Sequence, residues 1–243
     1  GTNGKTTIAY IVKTILKEGF EKKCATIGTL GFYVNDDIIK TSLTTPESLD
    51  IQKMFKFLED KKIENVVLET SSHALKQHRV HDVDFNVAVF TNLTQDHLDY
   101  HKTMDEYFNA KSILFSGLGA ESFSVINIDD NYGKKIYNKL SDNKISYGFD
   151  LKSDISIVDI NLTLSDSEIE LNIFNKKYKI VTNLIGRYNI SNLAASLGVL
   201  IALGYPIGEV LNKINTINFS IPGRMELISQ SCNRYIYIDY AHT

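Results

Sequence analysis

Two spacings of hydrophobic residues alternate along the chain, and each predicts a different kind of element. Apolar residues recur every three or four positions in six segments, which is the spacing of helices that bury one face. Short, almost continuous apolar runs separate them and indicate buried strands. The predicted helices are 8–19, 44–62, 102–115, 130–140, 189–204 and 206–216, and the predicted strands are 24–30, 65–69, 86–91 and 123–129. This order predicts an α/β fold with a mostly parallel sheet flanked by helices.

Three segments depart from this alternation. Residues 32–40 predict a hairpin that turns at Asn35 and Asp36. Residues 151–182 contain three short alternating strands joined by polar turns, which predict a small antiparallel side sheet. Residues 221–228 have the character of a linker, and 234–243 begin a new strand.

The amino-acid composition limits the classes of protein to which the chain can belong. The 243 residues suffice for one large α/β domain, alone or with a small appendage, and 43% of them are hydrophobic, which allows a large core. A net charge of −3 with scattered basic residues argues against a nucleic-acid binder. The longest apolar stretch, 194–205, is too short to span a bilayer. The two cysteines, Cys24 and Cys232, form no disulfide framework, which fits a reducing cytosol.

The chain opens with GTNGKTT, a glycine-rich stretch directly before a predicted helix. A helix N-terminus presents unpaired N–H groups and a partial positive charge, both of which attract phosphate. In this interpretation Gly1 and Gly4 let the backbone wrap closely, Lys5 reaches the outer phosphates and Thr6 offers a hydroxyl to Mg²⁺. The full motif has a further glycine five residues before Gly4, so it is incomplete here, and a glycine turn before an ordinary helix is the alternative. The sequence has no Asn-Lys-x-Asp motif for guanine, which argues against a GTPase.

Polar side chains follow two of the predicted strands. Glu69 ends one of them, at the sheet edge where ligands bind in open parallel sheets, and a carboxylate beside a phosphate loop suits Mg²⁺. A helix-capping role is the alternative. His97 follows the next strand and would lie beside Glu69 if the two strands were neighbours. Five of the six histidines fall between residues 73 and 101, but their spacing matches no zinc motif well, and we expect His78 and His101 at the surface.

Eight short motifs occur in an order that identifies a family. They are GTNGKTT, TTPES, ETSSHAL-Q-R, NLTQDHLDYH, YFNAKSILF, GRYNISNLAA, IPGRME and DYAHT. With them the chain resembles the Mur ligases of bacterial cell-wall synthesis, most closely the branch that adds the third residue of the peptidoglycan stem peptide. The resemblance covers nearly the whole chain and is weak across 146–183, and Thr70 stands where the family often has valine.

The resemblance implies a division into domains and a reaction. Residues 1–223 match a central ATP-binding domain, and 224–243 match the start of a C-terminal ligase domain. We therefore expect a fragment, truncated at the phosphate loop, that lacks the strand leading into Gly1. The implied reaction is ATP-dependent amide formation through an acyl phosphate. Its substrates would be ATP, a UDP-N-acetylmuramoyl dipeptide and an amino acid, and the intact enzyme would be a cytoplasmic bacterial monomer.

The resemblance also implies roles for individual residues. Lys5, Glu69, His97 and Lys111 would be catalytic, and Lys111 would be carbamylated (N6-carboxylysine), although the pattern alone makes it a surface lysine that covers apolar neighbours. Two Mg²⁺ ions are implied, with Thr6, Glu69 and His97 as ligands. The implied ATP-binding residues are Gly1, Thr2, Asn3, Gly4, Lys5, Thr6, Thr7, Asn189, Asn192, Arg224, Asp239 and His242. The implied substrate-binding residues are Thr44, Thr45, Ser72, Gln77 and Arg79.

Two other interpretations stay open. Another ligase of the superfamily, such as the D-alanyl-D-alanine-adding enzyme or a folylpolyglutamate synthetase, would share many motifs, although SSHAL-Q-R followed by DHLDYH favours the third-residue enzyme. A non-catalytic nucleotide switch would explain the phosphate loop but would leave Arg79 and Lys111 without roles. Whether meso-diaminopimelate or L-lysine is added would depend on a domain beyond Thr243.

Overall fold

Helices and strands alternate along the chain as the hydrophobic spacing predicts. The structure, a computed structural model, describes residues 1–34, 37–231 and 234–240, so the predictions that concern Asn35, Asp36, Cys232 and His242 lie outside the described residues. The helices are α1 (Lys5–Thr14), α2 (Ser48–Asp60), α3 (Ser72–Lys76), α4 (Leu98–His101), α5 (Met104–Ser116), α6 (Asn131–Lys139), α7 (Arg187–Ala202) and α8 (Ile207–Ile214). The strands are β1 (Cys24–Gly28), β2 (Gly31–Val34), β3 (Asp37–Ile39), β4 (Asn65–Leu68), β5 (Val87–Phe90), β6 (Phe123–Asn127), β7 (Lys144–Gly148), β8 (Ile155–Leu162), β9 (Ser167–Ile173), β10 (Lys176–Thr182), β11 (Glu226–Ser231) and β12 (Arg234–Ile238).

The largest sheet has six strands in the order β10-β9-β8-β7-β6-β5. Strands β5 to β8 are parallel, and β8 to β10 are antiparallel. The α/β fold and the antiparallel strands expected within 151–182 are therefore confirmed. The antiparallel strands join the edge of the parallel sheet, because β8 pairs with β7 at Tyr147–Ile155 and Gly148–Ser156.

A second sheet has the order β3-β2-β1-β4. Strands β1 and β4 are parallel, whereas β1, β2 and β3 form an antiparallel meander that includes the predicted hairpin. Strands β11 and β12 form a separate antiparallel pair. The prediction of a linker over 221–228 was therefore wrong at its end, because β11 begins at Glu226.

Helices cover both faces of the six-stranded sheet. Helices α1, α7 and α8 contribute to the largest buried apolar cluster, which includes Val125 of β6. Helices α5 and α6 belong to a second cluster with Ile126, the next residue of the same strand. Because successive residues of a strand point to opposite faces, the two clusters lie on the two sides of the sheet.

A slot separates the two larger sheets. Strands β4 and β5 are their facing edges, and they are not hydrogen-bonded to each other in the described part of the chain. A cavity of about 480 Å³ lies between them, and the apolar side chains of Ile8 and Val12 on α1 line it. Gly1 and Lys5 also line this cavity, so the slot reaches the phosphate loop. The strands that precede Glu69 and His97 are therefore not direct neighbours.

The start of α2 differs from the prediction. The helix begins at Ser48 after Glu47, whose side chain makes no capping hydrogen bond. The Thr45 hydroxyl, expected near a helix start, instead donates to the Glu69 carbonyl at 2.7 Å and accepts from the Ser71 amide at 3.0 Å. It thereby fastens the loop before α2 to the end of β4.

Candidate active site

The phosphate loop, Gly1–Thr7, runs into α1 with Gly4 in the left-handed conformation, at φ 89°. This conformation favours glycine, and a Cβ at Gly4 would also collide with the Asn192 side chain. Backbone bonds join the loop to the end of β5: the Thr2 amide donates to the Asn92 carbonyl at 2.8 Å. The Thr91 hydroxyl donates to the Asn3 carbonyl at 2.6 Å. These two hydrogen bonds fasten the phosphate loop, which leads into the N-terminal end of α1, to the chain segment after β5.

Lys5 folds back over the phosphate loop. Its ammonium donates to the carbonyl oxygens of Gly1 at 3.0 Å and Thr2 at 2.7 Å. Burial lowers the pKa of Lys5, and the Glu69 and Asp96 carboxylates oppose that effect. A half-buried lysine ammonium at a helix N-terminus, whose charged form two carboxylates favour, is suited to a polyanionic ligand such as a triphosphate.

Glu69 is the carboxylate at the centre of the site. Its Oε2 accepts from the Thr6 hydroxyl at 3.0 Å and from the Thr29 hydroxyl at 3.2 Å, and its Oε1 accepts from the Thr29 amide at 3.1 Å. A Cβ at Gly28 would collide with this carboxylate, so glycine leaves the space that it occupies. Thr6 and Glu69, predicted as partners, are therefore brought together by β4 and α1.

Lys111 is buried, with 5% of its surface exposed, so the surface position that the pattern alone favours was wrong. Its ammonium donates to the Gly1 carbonyl at 3.0 Å and lies 4.5 Å from the centre of the Tyr107 ring. Burial first, and then the neighbouring Lys5, lower the pKa of Lys111 from 10.5 to about 6, although Asp96 opposes them. The lysine is thus an amine that is largely neutral at physiological pH and points at the phosphate loop.

His97 lies in the loop after β5, where it precedes α4 with a left-handed backbone, at φ 53°. Its ring is half exposed, lies 3.5 Å from the Asp96 carboxylate and packs edge-on against Tyr107 at 6.0 Å. The Tyr107 hydroxyl is 3.2 Å from the Thr2 hydroxyl, so His97 lies on the phosphate-loop side of the molecule. Among the described residues no three His, Cys, Asp or Glu side chains converge as a metal site. A magnesium site does not require three, because Mg²⁺ keeps several waters and binds one or two carboxylates with substrate phosphates.

The predicted substrate residues form one polar cluster at the end of β4. Arg79 donates to the Thr45 carbonyl at 2.9 Å, and also donates to Gln77. It forms an ion pair with Glu47 at 3.1 Å. The Thr44 hydroxyl is 3.2 Å from the Thr29 hydroxyl, which links this cluster to Glu69.

The two serines before α3 have different partners. Ser71 caps the helix, because its hydroxyl accepts from the Ala74 amide. Ser72 is buried, and its hydroxyl lies 2.9 Å from Nε2 of His101. The expectation that His101 lies at the surface was wrong, since its ring is fully buried, whereas His78 is exposed as expected. The interior position of His101 follows from its packing between α3 and α5.

The predicted nucleotide residues lie on both sides of the loop. Asn192 projects from α7 toward Gly4, whereas Asn189 is buried and donates to the Ile185 carbonyl at 3.0 Å. Arg224 is close enough to lower the pKa of Lys5 further. The Asp239 carboxylate accepts from the Met225 amide at 2.8 Å, which ties the last described residues to the segment after Gly223.

Sequence reasoning missed three groups at this site. Thr29 holds both oxygens of Glu69, and its position near the end of the predicted strand 24–30 was the same kind of signal that singled out Glu69. Asp96 acts to raise the pKa of both Lys5 and Lys111, and its place beside His97 could have marked it. Tyr107 carried no signal, because only the packing of α5 brings its hydroxyl to the phosphate loop.

Residues 1–200 match the family described as the Mur ligase middle domain. The chain belongs to this family. It is 42% identical over 246 residues to the UDP-N-acetylmuramoyl-L-alanyl-D-glutamate–2,6-diaminopimelate ligase of Clostridium botulinum, a match that covers all of this chain and 50% of that protein. The chain spans about half the length of the curated relatives that it matches.

Solved structures of Mur ligases have the same fold. One, a UDP-N-acetylmuramoyl-L-alanyl-D-glutamate–2,6-diaminopimelate ligase, superposes with a TM-score of 0.86 at 29% identity, over 100% of this chain and 50% of that one. The MurF ligase of Thermotoga maritima in complex with ADP has a TM-score of 0.71 at 20% identity, over 95% of this chain and 49% of that one, and it supports the fold alone. In the part of the chain that the structure describes, none of the helices has the length and apolar character needed to traverse a bilayer.

Proposed function

We propose that this chain is the nucleotide-binding part of an ATP-dependent ligase that adds the third residue to UDP-N-acetylmuramoyl-L-alanyl-D-glutamate. One observation carries the proposal: Lys5, Glu69 and Lys111 converge on one phosphate loop, at the edge of the sheet where Thr45 and Arg79 also lie. The names of the curated relatives support the substrate. A simple nucleotide switch would require neither the buried Lys111 nor the polar cluster around Arg79 beside its phosphate loop.

The chemistry needs a better leaving group than water on the substrate's carboxylate. A carboxylate oxygen attacks the γ-phosphorus of ATP, the bond to the bridging oxygen breaks, and ADP leaves. The amine nitrogen of the incoming amino acid then attacks the acyl carbon, phosphate leaves, and the amine loses a proton. Two anions meet in the first step, so the site must neutralise charge and align them. Lys5 and the amides at the start of α1 are suited to hold the phosphates, while Arg79 is suited to hold a substrate carboxylate.

The donors around Glu69 fit Mg²⁺. A carboxylate and the Thr6 hydroxyl are hard oxygen ligands, and Gly28 leaves the space that this carboxylate occupies. A bound Mg²⁺ would neutralise developing charge on the phosphates. We propose Thr6 and Glu69 as ligands of one ion and His97, together with a modified Lys111, as neighbours of a second.

Lys111 is suited to carbamylation. Its largely neutral amine can attack carbon dioxide: an N–C bond forms, one C–O π bond opens and the nitrogen releases one proton, so the product is an anion where a neutral amine stood. Such an anion would attract the neighbouring Lys5 ammonium and would provide oxygen atoms for a metal. The role that we assign to the burial of Lys111 is to keep the amine neutral, so that it can be converted into this anion.

The wider organisation is also a proposal. We propose that residues 1–223 form a central ATP-binding domain and that 224–243 begin a ligase domain that closes over the nucleotide with Arg224, Asp239 and His242. The enzyme would act as a monomer in the bacterial cytoplasm, where ATP is available. Asn192, which faces the loop, is the better candidate for a nucleotide contact, because the Asn189 amide already donates to the backbone.

The test is a substrate panel with the natural polypeptide that carries this sequence. ATP, Mg²⁺ and the UDP-muramoyl dipeptide would be supplied with meso-diaminopimelate or L-lysine, and phosphate release and product mass would be measured. We expect turnover that requires all components. Turnover of a folate substrate or of the tripeptide with D-alanyl-D-alanine, but not of the dipeptide, would refute the proposed substrate. Slow ATP hydrolysis unaffected by any acceptor would instead indicate a nucleotide switch.

A further inference from the structure

Residues 91–94, which follow β5 directly, lie along the phosphate loop and are bonded to it at several points. The Thr2 amide donates to the Asn92 carbonyl at 2.8 Å, and the Asn3 amide donates to the Asn92 side-chain oxygen at 2.9 Å. The side-chain amide of Asn92 donates in turn to the Asn3 carbonyl at 3.3 Å. Asn92 therefore holds the backbone of the loop just before Gly4. We call residues 91–94 the support segment.

The end of β6 holds the support segment on both sides of Asn92. The side-chain amide of Asn127 donates to the Thr91 carbonyl at 2.7 Å. The Leu93 amide donates to Oδ2 of Asp130 at 2.9 Å. Because Thr91 and Leu93 flank Asn92 in the chain, these two side chains fix the backbone that carries Asn92.

The other oxygen of Asp130 has a different task. Asp130 is the N-cap residue of α6, and its Oδ1 accepts from the amides of Tyr132 at 2.8 Å and Gly133 at 3.0 Å. A Cβ at Gly133 would collide with the Asn127 carbonyl, so the first turn of α6 packs directly on the end of β6. The carboxylate thus joins three amides from two segments, and one oxygen serves each segment.

A helix cap alone does not need a carboxylate at this position. Asparagine and serine cap helices about as well as aspartate does. An ionised aspartate accepts through both oxygens, whereas asparagine offers one acceptor oxygen and one amide that only donates. With asparagine at 130, the oxygen would satisfy the two amides of α6, and the side-chain amide would face the Leu93 amide, donor against donor. The carboxylate is therefore required by the bond to the support segment.

We propose that Asp130 is a positioning residue for the nucleotide, which holds the support segment so that Asn92 keeps the phosphate loop in the conformation that receives the phosphates. The proposal rests on the proposed function for the identity of that ligand. Asp130 acts through Leu93 and Asn92, since direct contact between a carboxylate and a phosphate would be repulsive. Without the bond to Leu93, the support segment would move and the loop amides would lose their partners.

The first test needs no nucleotide. Hydrogen exchange of single amides would be measured by NMR in the natural polypeptide that carries this sequence. In Asp130→Asn the Thr2 and Asn3 amides should exchange about tenfold faster, because a hydrogen bond to a charged group that supports them is lost. The Lys134 amide, bonded to the Asp130 carbonyl within α6 at 2.9 Å, should exchange as before. Unchanged exchange at Thr2 and Asn3, or equal acceleration at Lys134, overturns the proposal.

The second test separates positioning from helix capping. The dissociation constant of ADP with Mg²⁺ would be measured by titration calorimetry, together with the midpoint of thermal unfolding. Asp130→Asn and Asp130→Ser, whose shorter side chain does not reach Leu93, should each raise the Kd about tenfold and leave the midpoint nearly unchanged. Asp130→Ala should show the same loss of affinity with a clearly lower midpoint, because it also removes the cap. Full affinity in the Asn and Ser variants, with a loss only in the Ala variant, overturns the proposal.

A double variant tests whether Asp130 acts through Asn92. Asn92→Ala removes the side-chain bonds to Asn3 and should weaken ADP binding by itself. Combined with Asp130→Asn, it should lose less than the product of the two single losses, since both act on the same segment. A loss equal to the full product overturns the proposal. The Kd for the UDP-muramoyl dipeptide should stay the same in all these variants, and a loss there as large as for ADP also overturns it.

The matched control is Asp50→Asn, another aspartate in the first turn of a helix. Its exposed carboxylate lies 3.6 Å from the Lys53 ammonium on the surface of α2. The Kd for ADP and the unfolding midpoint should both stay unchanged, and a loss of affinity equal to that of Asp130→Asn overturns the proposal. A wild-type protein that binds no ADP refutes the proposed function instead, and hydrogen exchange then decides on Asp130 alone.

Discussion

The burial of Lys111 leads to a prediction about carbon dioxide. The side chain is 5% exposed and lies near Lys5, and these two features lower its pKa to about 6. Only a neutral amine attacks carbon dioxide. We therefore predict that Lys111 forms a carbamate at neutral pH, whereas an ordinary surface lysine stays protonated and unreactive.

The magnitude follows from the two pKa values. At pH 7.5 an amine with a pKa of about 6 is roughly 97% neutral, whereas a lysine at its ordinary pKa is only about 0.1% neutral. The reactive fraction is thus about a thousand times larger at Lys111. As pH falls through about 6 the ammonium form returns and the carbamate is lost. Because carbamate formation also releases a proton, labelling should rise with pH, and it should begin at a much lower pH than for a lysine with the ordinary pKa.

The assay is carbon-13 NMR of the natural polypeptide under a fixed pressure of labelled carbon dioxide, at pH values from about 5 to 9. One carbamate signal is expected, and it should be absent from Lys111→Met. The exposed Lys134→Met is the matched control and should keep the signal. Lys111→Ala should lose most ligase activity, and added short carboxylates should restore part of it.

Two results would refute the reasoning. A labelling midpoint above about pH 9 would mean that burial does not lower the pKa of Lys111 in solution. A signal that persists in Lys111→Met would assign the carbamate to another amine. Unchanged turnover in Lys111→Ala would separately remove the proposed catalytic role.

Three further predictions concern the metal, the glycine beside it and the slot. Glu69→Ala should lower Mg²⁺-dependent use of ATP about 10- to 100-fold and affect dipeptide binding less, and equal losses in both measurements would argue against a metal role. Gly28→Ala should also lower the Mg²⁺-dependent use of ATP, because the added methyl displaces the Glu69 carboxylate. Gly208→Ala, whose added methyl meets only open space, should leave the same activity unchanged. The chain by itself should be inactive, and it should be poorly soluble because β4 and β5 are unpaired edges in the part of the chain that the structure describes. Five apolar residues added before Gly1 should form a strand that pairs with both edges. Each new backbone hydrogen bond should stabilise the fold by about 0.5–1.5 kcal/mol, so the midpoint of denaturation should rise. A soluble monomer that unfolds cooperatively without the added residues would contradict this prediction.

Local pattern was sufficient for most of the fold. The positions of the helices and strands follow from hydrophobic spacing, which reflects the periodicity of one segment and needs no knowledge of its neighbours. The GTNGKTT loop and Glu69 at a strand end were predicted for the same reason, because a helix N-terminus and the carboxyl end of a strand are local features. Thr6 and Glu69 are in contact, as the sequence predicts.

What the sequence could not determine depends on contacts between distant segments. The sequence pattern predicted that Lys111 and His101 lie at the surface, yet both are buried. They are buried because α4 and α5 fold back against the phosphate loop and α3. The slot between β4 and β5 and the low pKa of Lys111 arise from the same packing. Periodicity reports which face of a segment is apolar, but only the tertiary structure decides which polar groups that face encloses, and desolvation then sets their chemistry.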